Sequence, residues 1–130
     1  MLPNLTPLAI AEQFSTLASL YLDRIDLGLG LAPATDQLTA RALQIDDQAA
    51  FEFPKTVREV QKYLSADNKN SQVRAIPDEE LDIPIWILGS STESAKLAAS
   101  FGMPYAFASH FAPQQLQEAL HIYRTNFKPS

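Results

Sequence analysis

Apolar residues recur along this chain with two rhythms, one near helical spacing and one shorter. Thr6 suits a helix cap and Pro7 the first helical position. Ile10, Phe14, Leu17 and Tyr21 then follow at helical spacing, which predicts a helix ending near Leu22, before Asp23. From Arg24 to Leu31 the rhythm changes: Ile25, Leu27, Leu29 and Leu31 alternate with Asp26, Gly28 and Gly30. This predicts a strand with one aliphatic face and one nearly bare face. Two glycines on one face mark either a bulge or the close approach of a ligand or another backbone. Pro33 to Asp36 reads as a turn, with Thr35 or Asp36 capping a short helix through Leu43. Asp46, Asp47 and Gln48 begin a polar connector. A helix is expected after Phe53-Pro54, with Val57, Val60 and Leu64 inward and Lys55, Arg58, Glu59 and Lys62 in solvent.

The second half alternates strands and helices. Asp67 to Ser71 reads as a hydrophilic loop, Val73 to Ile76 as a weak strand, and Asp78, Glu79 and Glu80 as an acidic loop. Ile85, Trp86, Ile87 and Leu88 form an unbroken apolar run, expected in a parallel strand covered on both faces. A helix is predicted from about Thr92 to Phe101, with Gly102 at the left-handed position that ends it and Pro104 beyond. Tyr105 to Ala108 is a further strand, ending at Ser109, His110 and Phe111. Pro113 opens a last helix presenting Leu116, Leu120 and Tyr123, and Phe127 to Ser130 is a tail. The order implies a single α/β domain over residues 1–130 with a mainly parallel sheet. In such sheets ligands gather at the C-terminal ends of the strands. Those ends are Gly30 to Ala34, Gly89 to Thr92 and Ser109 to Phe111.

The turn after the Trp86 strand carries the most chemistry. Gly89 permits a sharp or left-handed bend. Ser90, Ser91 and Thr92 set hydroxyls and N–H groups at a helix start, where the dipole favours an anion. Ordinary capping and phosphate binding both satisfy that pattern. His110, at a strand's C-terminal end, is either a catalytic donor at the rim or a loop histidine bonded to nearby backbone. Asp26 is expected to pair with Arg24 or Arg41. His121 sits on the surface of the last helix.

Composition narrows the function classes. The chain has 130 residues, a net charge of -5 and 46% hydrophobic residues, which fits one globular domain with a sizeable core. No Lys/Arg cluster stands out, so nucleic acid is not an expected partner. Without cysteine there is no disulfide, thiolate nucleophile or zinc–thiolate site. Two histidines in distant positions make a His-based metal site an unexpected one. No apolar run is long enough to cross a bilayer and no basic leader opens the chain, so a cytoplasmic location is expected and no membrane partner.

Several stretches together resemble the bacterial-luciferase-like flavin monooxygenases. They are Met1-Leu-Pro-Asn, Ala11-Glu-Gln-Phe, Arg24-Ile-Asp-Leu-Gly-Leu-Gly, Thr35-Asp-Gln-Leu-Thr-Ala-Arg, Pro84-Ile-Trp-Ile-Leu-Gly-Ser-Ser and Pro104-Tyr-Ala-Phe-Ala-Ser-His-Phe. The resemblance implies a TIM-type (β/α)₈ barrel that binds reduced FMN and activates O₂. Ser90, Ser91 and Thr92 would hold the flavin phosphate, and the Gly28 and Gly30 face would leave space near the flavin. Such a barrel needs about 250 residues. This chain is therefore expected to run from the end of the third barrel strand to the helix behind the sixth. Similar sequences carry histidine where this chain has Leu5 and arginine where it has Leu31. The resemblance puts that histidine at the flavin ring and that arginine on the phosphate, and leucine has no donor for either task. Impaired turnover follows, or a non-catalytic remnant that binds flavin or self-associates. An opened barrel exposes edge strands, so a homo-oligomer is expected. A flavodoxin-like domain would need five strands and a first strand near the N-terminus, where Met1 to Leu5 is too short.

Overall fold

The computed structural model describes residues 5–31, 37–42, 48–77 and 81–130. The chain divides into two compact units, one of residues 1–27 and 33–84, the other of residues 28–32 and 85–130.

In the first unit, α1 spans Pro7–Leu20 and α3 spans Ala49–Tyr63, with the short α2 at Gln37–Ala42 between them. Thr6 caps α1 through its side-chain oxygen, which accepts from Ala9 N–H at 3.4 Å. The helix stops ahead of Asp23, whose left-handed φ of 56° its short polar side chain tolerates. The inward face differs from the expected one. Ile10 is buried, but its companions are Ala11, Ser15 and Ala18, while Leu17 and Tyr21 are exposed. Small residues let α1 lie close to α3, which contributes Phe53, Val57 and Val60. α3 also starts before Phe53-Pro54, so Pro54 lies inside it. The missing proline N–H costs one helical bond near the start, and the buried Phe53 ring anchors the extra turn.

Two expectations for the following segment are overturned together. Residues Ala66–Asn70 form a 3₁₀ turn, and Val73 to Ile76 is not a strand. The cause is Asn68, fully buried in a stretch that reads as hydrophilic. Its amide donates to Ala75 C=O at 2.9 Å, and its carbonyl accepts from Ala75 N–H at 3.1 Å. Both backbone groups of Ala75 are thus taken, so no ladder forms there. Val73 and Ile76 are left exposed. Asp26 is exposed and lines a hollow with Asp23 and Asp82. The turn at Pro33 to Asp36, Leu43, Asp46, Asp47 and the acidic run Asp78 to Glu80 lie outside the described residues.

The second unit holds the sheet, apart from Leu27 at the start of its first strand. β1 (Leu27–Gly30), β2 (Ile85–Gly89) and β3 (Tyr105–Phe107) stand in the order β1-β2-β3. β2 and β3 are parallel, with Ile87 opposite Tyr105 and Gly89 opposite Phe107. β1 advances beside β2 in the same sense: Leu27 N–H donates to Pro84 C=O, and Gly30 lies against Leu88 C=O. α4 (Thr92–Phe101) connects β2 to β3, and α5 (Leu116–Asn126) packs on α4. Ala95, Ala98, Ala99 and Ala119 are buried in this unit, so the two helices meet through small side chains. Gly102 ends α4 with φ 63°, as expected. A side chain there would also strike the C-terminal strap, since a Cβ would sit 2.3 Å from Lys128 O. That strap is tied down by Lys128 N–H on Ala99 C=O and by Phe127 against Tyr123.

The expectation that β2 is covered on both faces needs correction. Ile87 is fully buried, but Leu88, on the opposite face, is 42% exposed. Among the described residues, no helix is long and apolar enough to cross a membrane.

Candidate functional site

Because the strands run in one direction, Gly30 and Gly89 end on one rim, with Ser109 to Phe111 just past β3. Gly28, Gly30, Gly89, Ser90, Ser91, Thr92 and His110 all belong to the second unit. α4 opens at this rim with the hydroxyl-rich turn. Ser91 is its cap, in extended conformation, with Oγ accepting from Ser94 N–H at 3.4 Å. Ser91 Oγ is therefore engaged in capping. Among the described residues, neither Ser90 Oγ nor Thr92 Oγ1 takes part in a hydrogen bond, and both residues are half-buried. The first N–H groups of a helix have no intrahelical acceptor. Those of Thr92 and Glu93 thus join the Ser90 and Thr92 hydroxyls as a donor set suited to a phosphate. Glu93 is the adverse charge in that first turn. Its carboxylate is paired to Lys96 Nζ at 2.7 Å, one turn further along.

The glycines serve mainly to make room. Gly89 does not take a left-handed φ. A Cβ on it would lie 2.0 Å from Ser94 Oγ and 2.3 Å from Ser94 Cβ, so only glycine lets β2 turn this closely into α4. Gly28 is itself exposed, and the nearest atom to an added Cβ there would be Leu88 Cδ1, at 2.7 Å. What approaches the bare face of β1 there is a neighbouring side chain. Gly30 is freer, with Leu88 atoms at 3.6 Å, an ordinary contact. His110 lies in the turn after β3, exposed, with its ring centroid 4.3 Å from that of Phe111. Phe111 and Ala112 N–H groups both return to Ala108 C=O, which holds that turn.

Two residues matter here that sequence reasoning missed. Ser94 Oγ donates to Ser91 C=O at 2.7 Å and lies 3.0 Å from Tyr105 Oη. The Ser91-x-x-Ser94 spacing, a relative of the capping box, was the available signal. Tyr105 sits across the β2–β3 ladder and had none. Burial raises the Tyr105 phenol above its ordinary value of 10, partly offset by its Ser94 bond, and burial also raises Tyr123. Both phenols favour the neutral form in the fold, so the stability they contribute is complete below pH 10 and is lost as pH rises through their raised values. Absorbance titration should show two late-ionising tyrosines, and their contribution to urea stability should be lost only above about pH 10. Full ionisation of all tyrosines near pH 10 would contradict this.

The geometry agrees with what the chain is similar to. It matches the family model for luciferase-like monooxygenases over residues 1–129. It is 54% identical over 131 residues to the luciferase-like monooxygenase of Escherichia coli K12 and to the uncharacterized protein YvbT of Bacillus subtilis. The N-acetyl-S-alkylcysteine monooxygenase of Bacillus subtilis is 32% identical over 136 residues, covering 99% of this chain and 41% of that protein. The crystal structure of apo-MsnO8 superposes with a TM-score of 0.91 at 35% identity, over 100% of this chain and 39% of that one. The chain spans 39% of the length of the two relatives of 54% identity. The parallel strands with covering helices are a segment of a TIM-type barrel. On this sequence match and this fold, the chain belongs to the luciferase-like monooxygenase family.

Proposed function

We propose that this chain supplies the phosphate-binding part of a flavin-dependent monooxygenase site, and that it holds FMN weakly. The observation that carries the reading is the opening of α4 on the strand rim. There the Ser90 and Thr92 hydroxyls, with no hydrogen bond among the described residues, and the first helical N–H groups follow the C-terminal end of β2, the strand next to β1. The family is generally flavin-dependent, and reduced flavin supplies the electrons that activate O₂. The residues of this chain have a simpler task. Ser90 and Thr92 donate to the phosphate, Gly30 leaves space over β1, and His110 is the titratable group at the rim proposed to donate to bound flavin. Leu31 follows β1 with no donor, where the family resemblance implies an arginine. A missing charge-assisted bond weakens binding by about 1.5–3 kcal/mol, a tenfold to hundredfold loss.

Titration with FMN, followed by quenching of flavin fluorescence, tests this. Saturable quenching is expected, weaker with riboflavin, which lacks the phosphate, and weaker for FMN in Ser90→Ala. Leu31→Arg should tighten FMN about tenfold to hundredfold. Absence of quenching at millimolar FMN in both the parent and Leu31→Arg ends the proposal.

A second reading rests on the sheet's open face. Leu88 is exposed there, and Trp86 Nε1, two residues away, is buried with no hydrogen-bond partner among the described residues. β1 and β3 are the outer strands of the described sheet. Such edges and faces favour self-association of this chain. Light scattering at micromolar concentration should give at least a dimer, and a monodisperse monomer refutes it.

A further inference from the structure

We infer that Tyr105 is a positioning residue for the phosphate corner, fixing the direction of the first helical N–H through the Ser91 carbonyl; the inference deepens the flavin-phosphate reading and rests on it for its ligand. Tyr105 Oη donates to Ser91 C=O at 3.3 Å and lies 3.0 Å from Ser94 Oγ. The Ser94 hydroxyl hydrogen is directed to Ser91 C=O, at 2.7 Å. The Tyr105 hydrogen is therefore shared between that carbonyl and Ser94 Oγ. Two hydroxyls thus hold one carbonyl from the sheet side and the helix side.

The Ser91 carbonyl and the Thr92 N–H belong to the same peptide group. That group is planar and trans, so the two bonds point in opposite directions. Anchoring the carbonyl sets where the Thr92 N–H points, and this is the first donor at the anion-binding end of α4. The phenol is itself held. Its ring lies 5.4 Å from Tyr123 and 6.3 Å from Phe107, and Tyr123 Oη donates to Met103 C=O at 2.9 Å. α5 thereby braces β3, β3 braces the Ser91 peptide, and that peptide aims a donor at the rim. Gly89 completes the arrangement by letting Ser94 come close.

Tyr105→Phe keeps the ring and removes the hydroxyl. Two readouts separate this inference from the binding proposal. In the ligand-free protein, amide hydrogen exchange at Ser94 should speed up about fivefold to tenfold, the worth of one hydrogen bond near 1 kcal/mol. Exchange at Ala98 and Ala99, deeper in α4, should stay unchanged. Ser94→Ala, with the relay hydroxyl removed from the other side, should give the same loss at its own amide. In ligand titrations, Tyr105→Phe should weaken FMN about fivefold and leave riboflavin where it was. A general structural defect would instead weaken both. Unchanged Ser94 exchange in both variants overturns the inference, as does equal weakening of FMN and riboflavin. If the parent protein fails to bind FMN, the binding proposal falls, while the exchange experiment still decides the role of Tyr105 in shaping the corner.

Discussion

Asn68→Ala should destabilise the first unit by about 3–5 kcal/mol. The side chain is fully buried and makes a two-way bridge to the backbone of Ala75, donating at 2.9 Å and accepting at 3.1 Å. Alanine leaves both the N–H and the C=O of a buried residue without those partners. Each orphaned group costs about 1–3 kcal/mol. Against a typical total of about 5–15 kcal/mol, that is a large fraction. Asn68→Asp is the informative companion. It retains an acceptor for Ala75 N–H but sets a carboxylate against Ala75 C=O, so it should rescue little at neutral pH. Urea denaturation followed by circular dichroism measures both. A loss under about 1 kcal/mol for Asn68→Ala would mean that the Ala75 groups find other partners.

Gly89→Ala is the second large effect, and its size comes from what the new methyl meets. The added Cβ falls 2.0 Å from Ser94 Oγ and 2.3 Å from Ser94 Cβ, on the first turn of α4. Ser94 cannot swing aside without giving up its bond to Ser91 C=O and its contact with Tyr105. Overpacking of this kind costs about 1–3 kcal/mol or more, and here it also displaces the corner proposed to hold phosphate. The double variant Gly89→Ala with Ser94→Gly removes the obstructing atoms, leaving Ser94 Cα at 3.8 Å, and should recover part of the stability. Gly28→Ala is the control. Its clash is with Leu88 Cδ1 at 2.7 Å, the far end of a flexible, half-open side chain. It should cost under about 1 kcal/mol. Equal melting temperatures for the Gly89→Ala and Gly28→Ala variants would refute the packing account.

Together the two variants separate the units. Asn68 lies in the first and Gly89 in the second. Asn68→Ala should leave the proposed FMN binding intact under conditions where the protein stays folded, whereas Gly89→Ala should weaken it.

By itself, the sequence determined the elements whose signals are local. Thr6-Pro7 announces α1, the Ser90-Ser91-Thr92 run announces the start of α4 and Gly102 its end, because capping chemistry depends only on neighbouring residues. The unbroken run Ile85 to Leu88 and the segment after Pro104 are strands, and the rim that gathers Gly30, Gly89 and Ser90 follows from a parallel sheet. Family membership was legible too, since its motifs survive in short linear stretches. Tertiary structure decided what depends on partners distant in the chain. Which face of α1 is buried was set by how closely it approaches α3, so Ala11, Ser15 and Ala18 went inward and Leu17 did not. Asn68 looked like a loop residue because nothing local shows that it closes on Ala75. The reason for Gly89 lay in Ser94, and the importance of Tyr105 in a carbonyl 14 residues earlier. Hydrogen bonds and close contacts act through space, and a linear pattern records only those whose partners are also neighbours in sequence.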